Sequence, residues 1–233
     1  MTLGRFKERG RDSDLHRKEI GPLLDEIQLD FHRTEFETGL PRVSREIEQA
    51  LREIPRFRFI PKSHQILAYE NRAVPIGFGQ TISQPYIVAL MTQILDPQPT
   101  DNILEVGCGS GYQAAVLSKI VKHVHSIEIV PELLEQAQER VDKMGYNNIT
   151  IHLGDGYNGL EQQAPFDKII VTAAIPEIPD KLIQQLKIGG QMVIPLEDVV
   201  GYQDLFLITK KDQQKTMSQK LIGVRFVPFI RQQ

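Results

Sequence analysis

The spacing of apolar residues changes along the chain, from helical in the first hundred residues to strand-like afterwards. Between residues 42 and 54 the apolar positions fall on one helical face and predict an amphipathic helix. They are Val43, Ile47, Ala50, Leu51 and Ile54. Pro85 suits the first turn of a second helix, with Ser83 or Gln84 near its start. Since residues 87–95 are almost all apolar, we expect this helix to be buried on most sides.

From residue 102 onwards, short apolar runs alternate with amphipathic segments. The runs predict strands at 102–106, 124–129, 149–153, 168–173, 191–196, 205–209 and 220–229. The segments predict helices at 112–120, 131–144 and 178–186, the last closed by Gly189 and Gly190. Alternating strands and helices indicate an α/β fold with a mostly parallel, seven-stranded sheet. The last two strands are joined by a short turn and should form an antiparallel edge, whose strand order stays open.

The chain divides by composition into three parts. Residues 1–35 read as a polar N-terminal extension, and residues 1–20, mixed in charge, are expected to be frayed or weakly docked. Residues 36–96 form an N-terminal helical segment, and residues 97–233 form the α/β core with its C-terminal hairpin.

Composition narrows the class of protein. The 233 residues are 41% hydrophobic and 24% charged, which is typical of a globular protein, and the net charge of −3 argues against nucleic-acid binding. The single cysteine, Cys108, excludes an internal disulfide. The start of the chain is too charged for a signal peptide, and no apolar run is long enough for a membrane helix. We expect a cytoplasmic monomer without nucleic-acid or membrane partners. His123 and His125 are expected on the sheet surface, with no metal site.

A glycine-rich stretch, LEVGCGSGY (104–112), joins the first predicted core strand to the next helix. Gly107, Gly109 and Gly111 allow a tight turn and a close approach to a ligand, and Glu105 precedes them. Their G-x-G-x-G spacing differs from the G-x-G-x-x-G of dinucleotide-binding loops. Many α/β turns use glycine only for packing, and that alternative stays open for this motif alone.

Two acidic residues follow the next two strands. Glu128 ends its strand, where a carboxylate can accept hydrogen bonds from a ribose diol or can cap the helix that begins at Pro131. Asp155, followed by Gly156, can accept a hydrogen bond from an adenine amino group, although Asp-Gly is also a common turn. Because ligands bind at the carboxyl ends of parallel strands, the pattern predicts a nucleoside-containing ligand. S-adenosylmethionine fits, since it has no pyrophosphate and needs no longer phosphate loop, and the fold is then a Rossmann-like class I methyltransferase.

The segment PIGFGQTISQPYIVALM (75–91) resembles the protein-L-isoaspartate O-methyltransferase family, which carries Q-T-I-S-Q-P just before its methyltransferase core. The blocks IPRFRFIP, GDGYNG, FDKIIVTAAIPEIPDKLIQQLKIGGQMVIPL and GVRFVPF extend the resemblance to about residues 40–230. Phe78 departs from the tyrosine or histidine that is common there, and residues 1–35 are longer and more charged than the family's usual start.

The resemblance implies methylation of the free α-carboxylate of L-isoaspartyl residues in damaged proteins and peptides. It implies that Ser83 is the active-site serine and that Gln80, Thr81 and Ile82 form a strap over cofactor and substrate. On the residues alone, Ser83 could instead be a helix N-cap. Val227 and Pro228 either border the peptide groove or belong to a packed edge strand.

Three other functions share some of these sequence features. A methyltransferase acting on RNA, a small molecule or another side chain would keep the glycine loop but does not predict Q-T-I-S-Q-P. A non-catalytic S-adenosylmethionine-binding scaffold would need neither turnover nor Ser83. An NAD-linked dehydrogenase is disfavoured by the glycine spacing.

Overall fold

The computed structural model describes residues 3–232. Seven α-helices within that range are α1 (Leu3–Arg33), α2 (Glu35–Thr38), α3 (Arg45–Glu53), α4 (Pro85–Leu95), α5 (Tyr112–Ser118), α6 (Pro131–Met144) and α7 (Asp180–Gln185). The strands are β1 (Val74–Gly77), β2 (Gln80–Ile82), β3 (Asn102–Val106), β4 (His123–Glu128), β5 (Ile149–Leu153), β6 (Phe166–Val171), β7 (Leu186–Glu197), β8 (Gln203–Lys210) and β9 (Thr216–Val224).

The main sheet has seven strands in the order β5-β4-β3-β6-β7-β8-β9. The first five are parallel to one another, whereas β8 pairs antiparallel with β7 and β9 antiparallel with β8. The predicted parallel sheet with an antiparallel edge is therefore confirmed. Strand β8 lies between β7 and β9, and β9 is the edge strand. The two remaining strands, β1 and β2, form a separate antiparallel hairpin.

Alternate residues of the central strands enter two different cores, as the two-residue period of a strand requires. Ile103 belongs to a core cluster that includes residues of α1, α3, α4, α5 and α6, while its neighbour Leu104 belongs to a second cluster that includes Leu182 of α7. The sheet is therefore covered by helices on both faces, which buries its parallel strands.

Several predicted boundaries differ from the structure, and the strand predicted at 220–229 is β9, which runs from Thr216 to Val224. The helix expected to close at Gly189 and Gly190 already ends at Gln185, and both glycines lie inside β7. The expected frayed start of the chain is instead part of α1, a 31-residue helix. Its second half is buried through apolar residues at helical spacing, namely Ile20, Leu23, Leu24, Ile27 and Phe31. The three-part division of the chain remains a prediction.

The histidines of β4 lie half-buried on the sheet, next to His152 of β5. The rings of His123 and His125 have centroids 4.5 Å apart, and His125 Nδ1 lies 3.2 Å from His152 Nε2. Burial and the neighbouring histidines lower the pKa of His125 to about 4. Within residues 14–232, whose side chains the structure describes, no group of three or more His, Cys, Asp or Glu side chains could hold a metal ion. No helix in the same range is both long and apolar enough to cross a membrane.

Candidate active site

A cleft opens at the carboxyl edge of the sheet, where the loops after β3, β4, β5 and β6 meet the β1–β2 hairpin. Most of the predicted site residues line this cleft. They are Gln80, Thr81, Ile82, Ser83, Glu105, Gly107, Gly109, Glu128 and Gly156. The fold therefore brings the Q-T-I-S segment, which precedes the core in sequence, onto the glycine loop.

The glycine loop lies close against the end of β6. Gly107 has a φ of 96°, and a Cβ added there would overlap Thr172 Oγ1. Thr172 Oγ1 in turn donates a 2.7 Å hydrogen bond to the Gly107 carbonyl. A side chain at position 107 would thus be disfavoured twice, by backbone conformation and by lack of space. Gly107 and Gly109 both line the cleft.

Glu128 fixes the loop from the neighbouring strand. Its Oε2 accepts a 2.7 Å hydrogen bond from Gly109 N, while its Oε1 accepts from Ile129 N and Val130 N at 2.9 and 3.0 Å. Glu128 therefore holds the chain just before α6, but it does not cap the helix as the capping alternative proposed, because the N-cap is Val130 and no side chain caps it. A carboxylate oxygen can accept two hydrogen bonds, so Oε2 retains capacity for a ligand hydroxyl.

Glu105 is fully buried at the base of the cleft. The parallel register of β3 and β4 pairs it with Ser126, whose hydroxyl donates to Glu105 Oε2. Burial, opposed by the Ser126 hydrogen bond and reinforced by nearby Glu128, raises the pKa of Glu105 to about 8. Glu105 Oε1 has no hydrogen-bond partner in the described part of the chain. A buried orphan acceptor in a cleft is a site for a donor supplied by a ligand.

Cys108 also lines the cleft, but its thiol is poorly suited to nucleophilic chemistry. Burial, together with the nearby Glu105, raises the pKa of the Cys108 thiol well above its usual value. The thiolate is the reactive form of cysteine, so this environment suppresses reactivity. The side chain is a small filler behind the glycine loop.

The β1–β2 hairpin forms the other wall of the cleft. Val74 pairs with Ile82, and Phe78 and Gly79 make the turn with φ angles of 54° and 71°. The N-cap of α4 is Gln84, whose side chain makes no capping hydrogen bond. The alternative of Ser83 as N-cap is therefore wrong, because the cap falls one residue later, at Gln84.

Two predicted residues lie outside the lining of the cleft. Gly111 is the N-cap of α5, with a φ of 84° and Ala137 of α6 packed against it. Asp155 is buried; its Oδ1 accepts from Tyr157 N at 2.9 Å and its Oδ2 accepts from Gln232 N at 3.3 Å. In this structure Asp155 organises the loop after β5 and the C-terminal segment.

Several residues of the cleft were not predicted. Thr172 and Ala173 follow β6, and the strand-end rule that identified Glu128 could have found them. Phe229 and Ile230 come from the C-terminal segment after β9. Their neighbour Pro228, for which the sequence left a groove and a packed edge strand open, also lines the cleft and lies beyond the end of β9 at Val224. Backbone hydrogen bonds hold that segment beside β6, from Ala174 N to Val227 O at 2.9 Å and from Phe229 N to Ala174 O at 2.8 Å. Only tertiary structure brings this segment to the cleft.

The cleft suits a positively charged nucleoside. A carboxyl group at the base, Glu105, carries an unused acceptor, and a second carboxylate, Glu128, lies where a ribose diol binds in related α/β sites. The glycine loop lines the same cleft as these two carboxyl groups. These features fit S-adenosylmethionine, which combines an ammonium group, a sulfonium and a ribose diol.

Comparison with known proteins gives a consistent result. The family model described as protein-L-isoaspartate(D-aspartate) O-methyltransferase matches residues 37–233. A protein-L-isoaspartate O-methyltransferase 2 from Nitrosococcus oceani is 47% identical over 206 residues, covering 88% of this chain and 94% of its own. A protein of the same name from Polaromonas sp. is 45% identical over 210 residues, covering 90% of this chain and 100% of its own.

Solved structures agree on the fold. A protein-L-isoaspartate O-methyltransferase structure superposes with a TM-score of 0.77 at 29% identity, over 88% of this chain and 65% of its own length. This chain thus spans just under two thirds of that structure. A second, from Plasmodium falciparum, has a TM-score of 0.73 at 23% identity, covers 90% of this chain and 99% of its own, and supports the fold alone. The predicted class I methyltransferase fold is confirmed, and the chain belongs to the protein-L-isoaspartate (D-aspartate) O-methyltransferase family.

Proposed function

We propose that this chain transfers the methyl group of S-adenosylmethionine to the free α-carboxylate of L-isoaspartyl residues in damaged proteins. One observation carries the proposal beyond family membership. Ser83 and its neighbours in the strap line the same cleft as the glycine loop and Glu128. A methyl donor held by the loop and an acceptor held by the strap would then meet in one enclosed space.

S-adenosylmethionine supplies an activated methyl group. In this chain Glu128 would accept from the ribose hydroxyls, and the Glu105 oxygen that lacks a partner would accept from the ligand's ammonium. Gly107 and Gly109, which line the same cleft, would lie against the cofactor. Gln80, Thr81 and Ile82 would cover it from the hairpin side. For Gly111 and Asp155 we propose an indirect role, through the start of α5 and the loop after β5.

The reaction places few chemical demands on the protein. An α-carboxylate with a pKa of about 3.5 is already ionised at neutral pH, so no general base is needed. One carboxylate oxygen forms a bond to the methyl carbon as the carbon–sulfur bond breaks, and no proton moves. The remaining task is alignment of oxygen, carbon and sulfur, and holding two reactants in line can lower a barrier by roughly 7–11 kcal/mol in favourable cases. The methyl ester then closes to a succinimide, whose hydrolysis returns part of the material to normal aspartate.

Ser83 is the residue we assign to the acceptor. Its hydroxyl has no side-chain hydrogen bond to other described residues, and it does not cap α4. It can therefore donate to the carboxylate oxygen that does not attack, which fixes the acceptor without reducing the nucleophilicity of the other oxygen.

The role of Ser83 is tested with two serine variants. Ser83→Ala should lower kcat on an isoaspartyl peptide about tenfold or more, in line with the loss of a hydrogen bond to a charged group, and leave cofactor affinity nearly unchanged. Ser63→Ala, at an exposed position outside the cleft, should change neither quantity. Loss of cofactor binding in Ser83→Ala would reassign Ser83 to the cofactor side of the strap.

The repair function is tested by chromatography of an isoaspartyl peptide after long incubation with enzyme and S-adenosylmethionine. The succinimide and then the normal aspartyl peptide should appear only when both are present. Stable methylation without succinimide would indicate another carboxylate acceptor, and the absence of any methylated product with intact cofactor binding would favour the other substrate classes.

A further inference from the structure

The first turn of α4 is capped by a residue from outside the helix. Its own N-cap, Gln84, provides no side-chain hydrogen bond, and Pro85 at the first position has no N–H to satisfy. Tyr86 N, the next donor, makes a 3.0 Å hydrogen bond to Asn71 Oδ1. Asn71 precedes β1 and Tyr86 follows β2, so this bond closes the base of the hairpin that carries the strap.

Asn71 is itself fixed by the N-terminal helix. Its Nδ2 donates a 2.8 Å hydrogen bond to Asp30 Oδ2 in α1. A carboxylate can only accept, so Asp30 orients the amide with Nδ2 towards α1 and Oδ1 towards Tyr86 N. Asp30 thereby determines which atom of Asn71 faces α4.

The Tyr86 side chain lies against the same turn of α1. Its hydroxyl is 2.5 Å from Thr34 Oγ1, and its ring meets Phe31 edge to face with centroids 5.5 Å apart. The side chain of Tyr86 is therefore held directly by the end of α1 and the residue that follows it, and its backbone N–H is held through Asn71. The family model begins at residue 37, so this support comes from outside the segment that defines the family.

Ser83 lies between the hairpin and the helix that are fixed in this way. In many helices a serine near the start would use its hydroxyl for capping. Here Asn71 satisfies the Tyr86 N–H, and the Ser83 hydroxyl stays available to the cleft.

We propose that Asn71 is a positioning residue for the methyl acceptor, through which α1 holds the strap and Ser83 in their binding geometry. This inference rests on the proposed function. It also gives a role to the N-terminal helix, whose purpose the sequence left open.

The main test compares two side-chain amides that join α4 to other parts of the chain, Asn71 before β1 and Gln93 within α4. Asn71→Ala should raise KM for an isoaspartyl peptide about tenfold, the ratio given by a loss of about 1.4 kcal/mol in ordering of the strap. The Kd of S-adenosylhomocysteine should change less than about threefold, because most proposed cofactor contacts come from the loops after β3, β4 and β5.

Gln93→Ala is the matched control. Gln93 also makes two amide hydrogen bonds, accepting from Ser44 N at 2.7 Å and donating to Arg42 O at 2.8 Å, but near the other end of α4. It should lower thermal stability to a similar degree without raising KM for the peptide. Equal KM values for Asn71→Ala and Gln93→Ala would overturn the proposal, because that result is expected if Asn71 only stabilises the fold.

A swapped pair keeps the test decisive if Asn71→Ala does not fold. Asn71→Asp alone places a second carboxylate next to Asp30, where neither can donate a hydrogen bond to the other, and should raise KM for the peptide. Adding Asp30→Asn moves the amide to α1 and restores a donor facing an acceptor, so the double variant should recover KM to within about threefold of the wild type. Failure of the folded double variant to recover would contradict the proposal. If the wild type itself fails to methylate the peptide, the proposed function fails instead.

Discussion

The replacement of Glu105 by glutamine should change how stability depends on pH. Glu105 is completely buried, its pKa is raised to about 8 mainly by burial, and Ser126 donates to one of its oxygens. Glutamine has nearly the same shape and can still accept from Ser126, but it cannot ionise. The variant therefore removes the proton equilibrium and keeps the packing.

The magnitude follows from the difference between the folded and unfolded pKa of this carboxyl. In the unfolded chain its pKa is 4.5 and in the folded protein about 8, so between these values the folded state binds a proton that the unfolded state has released. The contribution of this protonated group to the free energy of unfolding is fully present below pH 4.5. It is lost as pH rises towards 8, at about 1.4 kcal/mol per pH unit. Between pH 5 and pH 7.5, the wild type should therefore lose about 3 kcal/mol of unfolding free energy through Glu105, and the Glu105→Gln variant should not show this loss.

The assay is urea unfolding of both proteins without cofactor at several pH values and constant ionic strength. The other ionisable groups are common to both proteins, so the difference in free energy of unfolding isolates Glu105. That difference should move in favour of the variant as pH rises. A difference that stays constant from pH 5 to pH 7.5 would refute the account of Glu105 as a neutral, buried acid.

Three further predictions concern the cleft and the sheet. Glu128→Ala should weaken S-adenosylhomocysteine binding about tenfold to a hundredfold, and unchanged affinity by calorimetry in a folded variant would remove Glu128 from the cofactor site. Gly107→Ala should destabilise the protein by about 1–3 kcal/mol in urea unfolding, because the added Cβ meets Thr172. The control Gly21→Ala should not destabilise the protein, because an added Cβ there has no neighbouring atom within 4 Å. Because the pKa of His125 is lowered, its neutral ring contributes to the stability of the folded protein above pH 6.5, and this contribution is lost as pH falls towards 4. His125→Gln should reduce the loss of stability at acid pH by about 1 kcal/mol, a figure discounted because the ring is half-exposed. An unchanged dependence of unfolding free energy on pH in the acid range would contradict this prediction.

The elements of the core could be predicted from sequence because local signals coincide there. The bounds of β3, α6 and β5 agree with the structure, since each combines an apolar pattern with turn or capping residues such as Gly145. Helix α1 was missed although Ile20, Leu23, Ile27 and Phe31 follow helical spacing, because the charges around them dominate its composition. The start of β7 was missed because two glycines interrupt its apolar pattern.

The candidate site was predictable where its residues follow strands directly. Glu128 and the glycine loop obey that rule and line the cleft. The C-terminal segment around Phe229 reaches the cleft only through the antiparallel edge, whose order the sequence did not reveal. The hydrogen bond from Tyr86 N to Asn71 likewise joins positions that no periodic pattern relates.

The most direct test of the central claim is transfer of labelled methyl from S-adenosylmethionine to three peptides of otherwise identical sequence. One contains L-isoaspartate, one normal aspartate, and one L-isoaspartate with its α-carboxylate converted to an amide. We expect base-labile label on the first peptide alone. Equal labelling of the aspartyl or the amide peptide, or no labelling of any peptide by an enzyme that binds the cofactor, would contradict it.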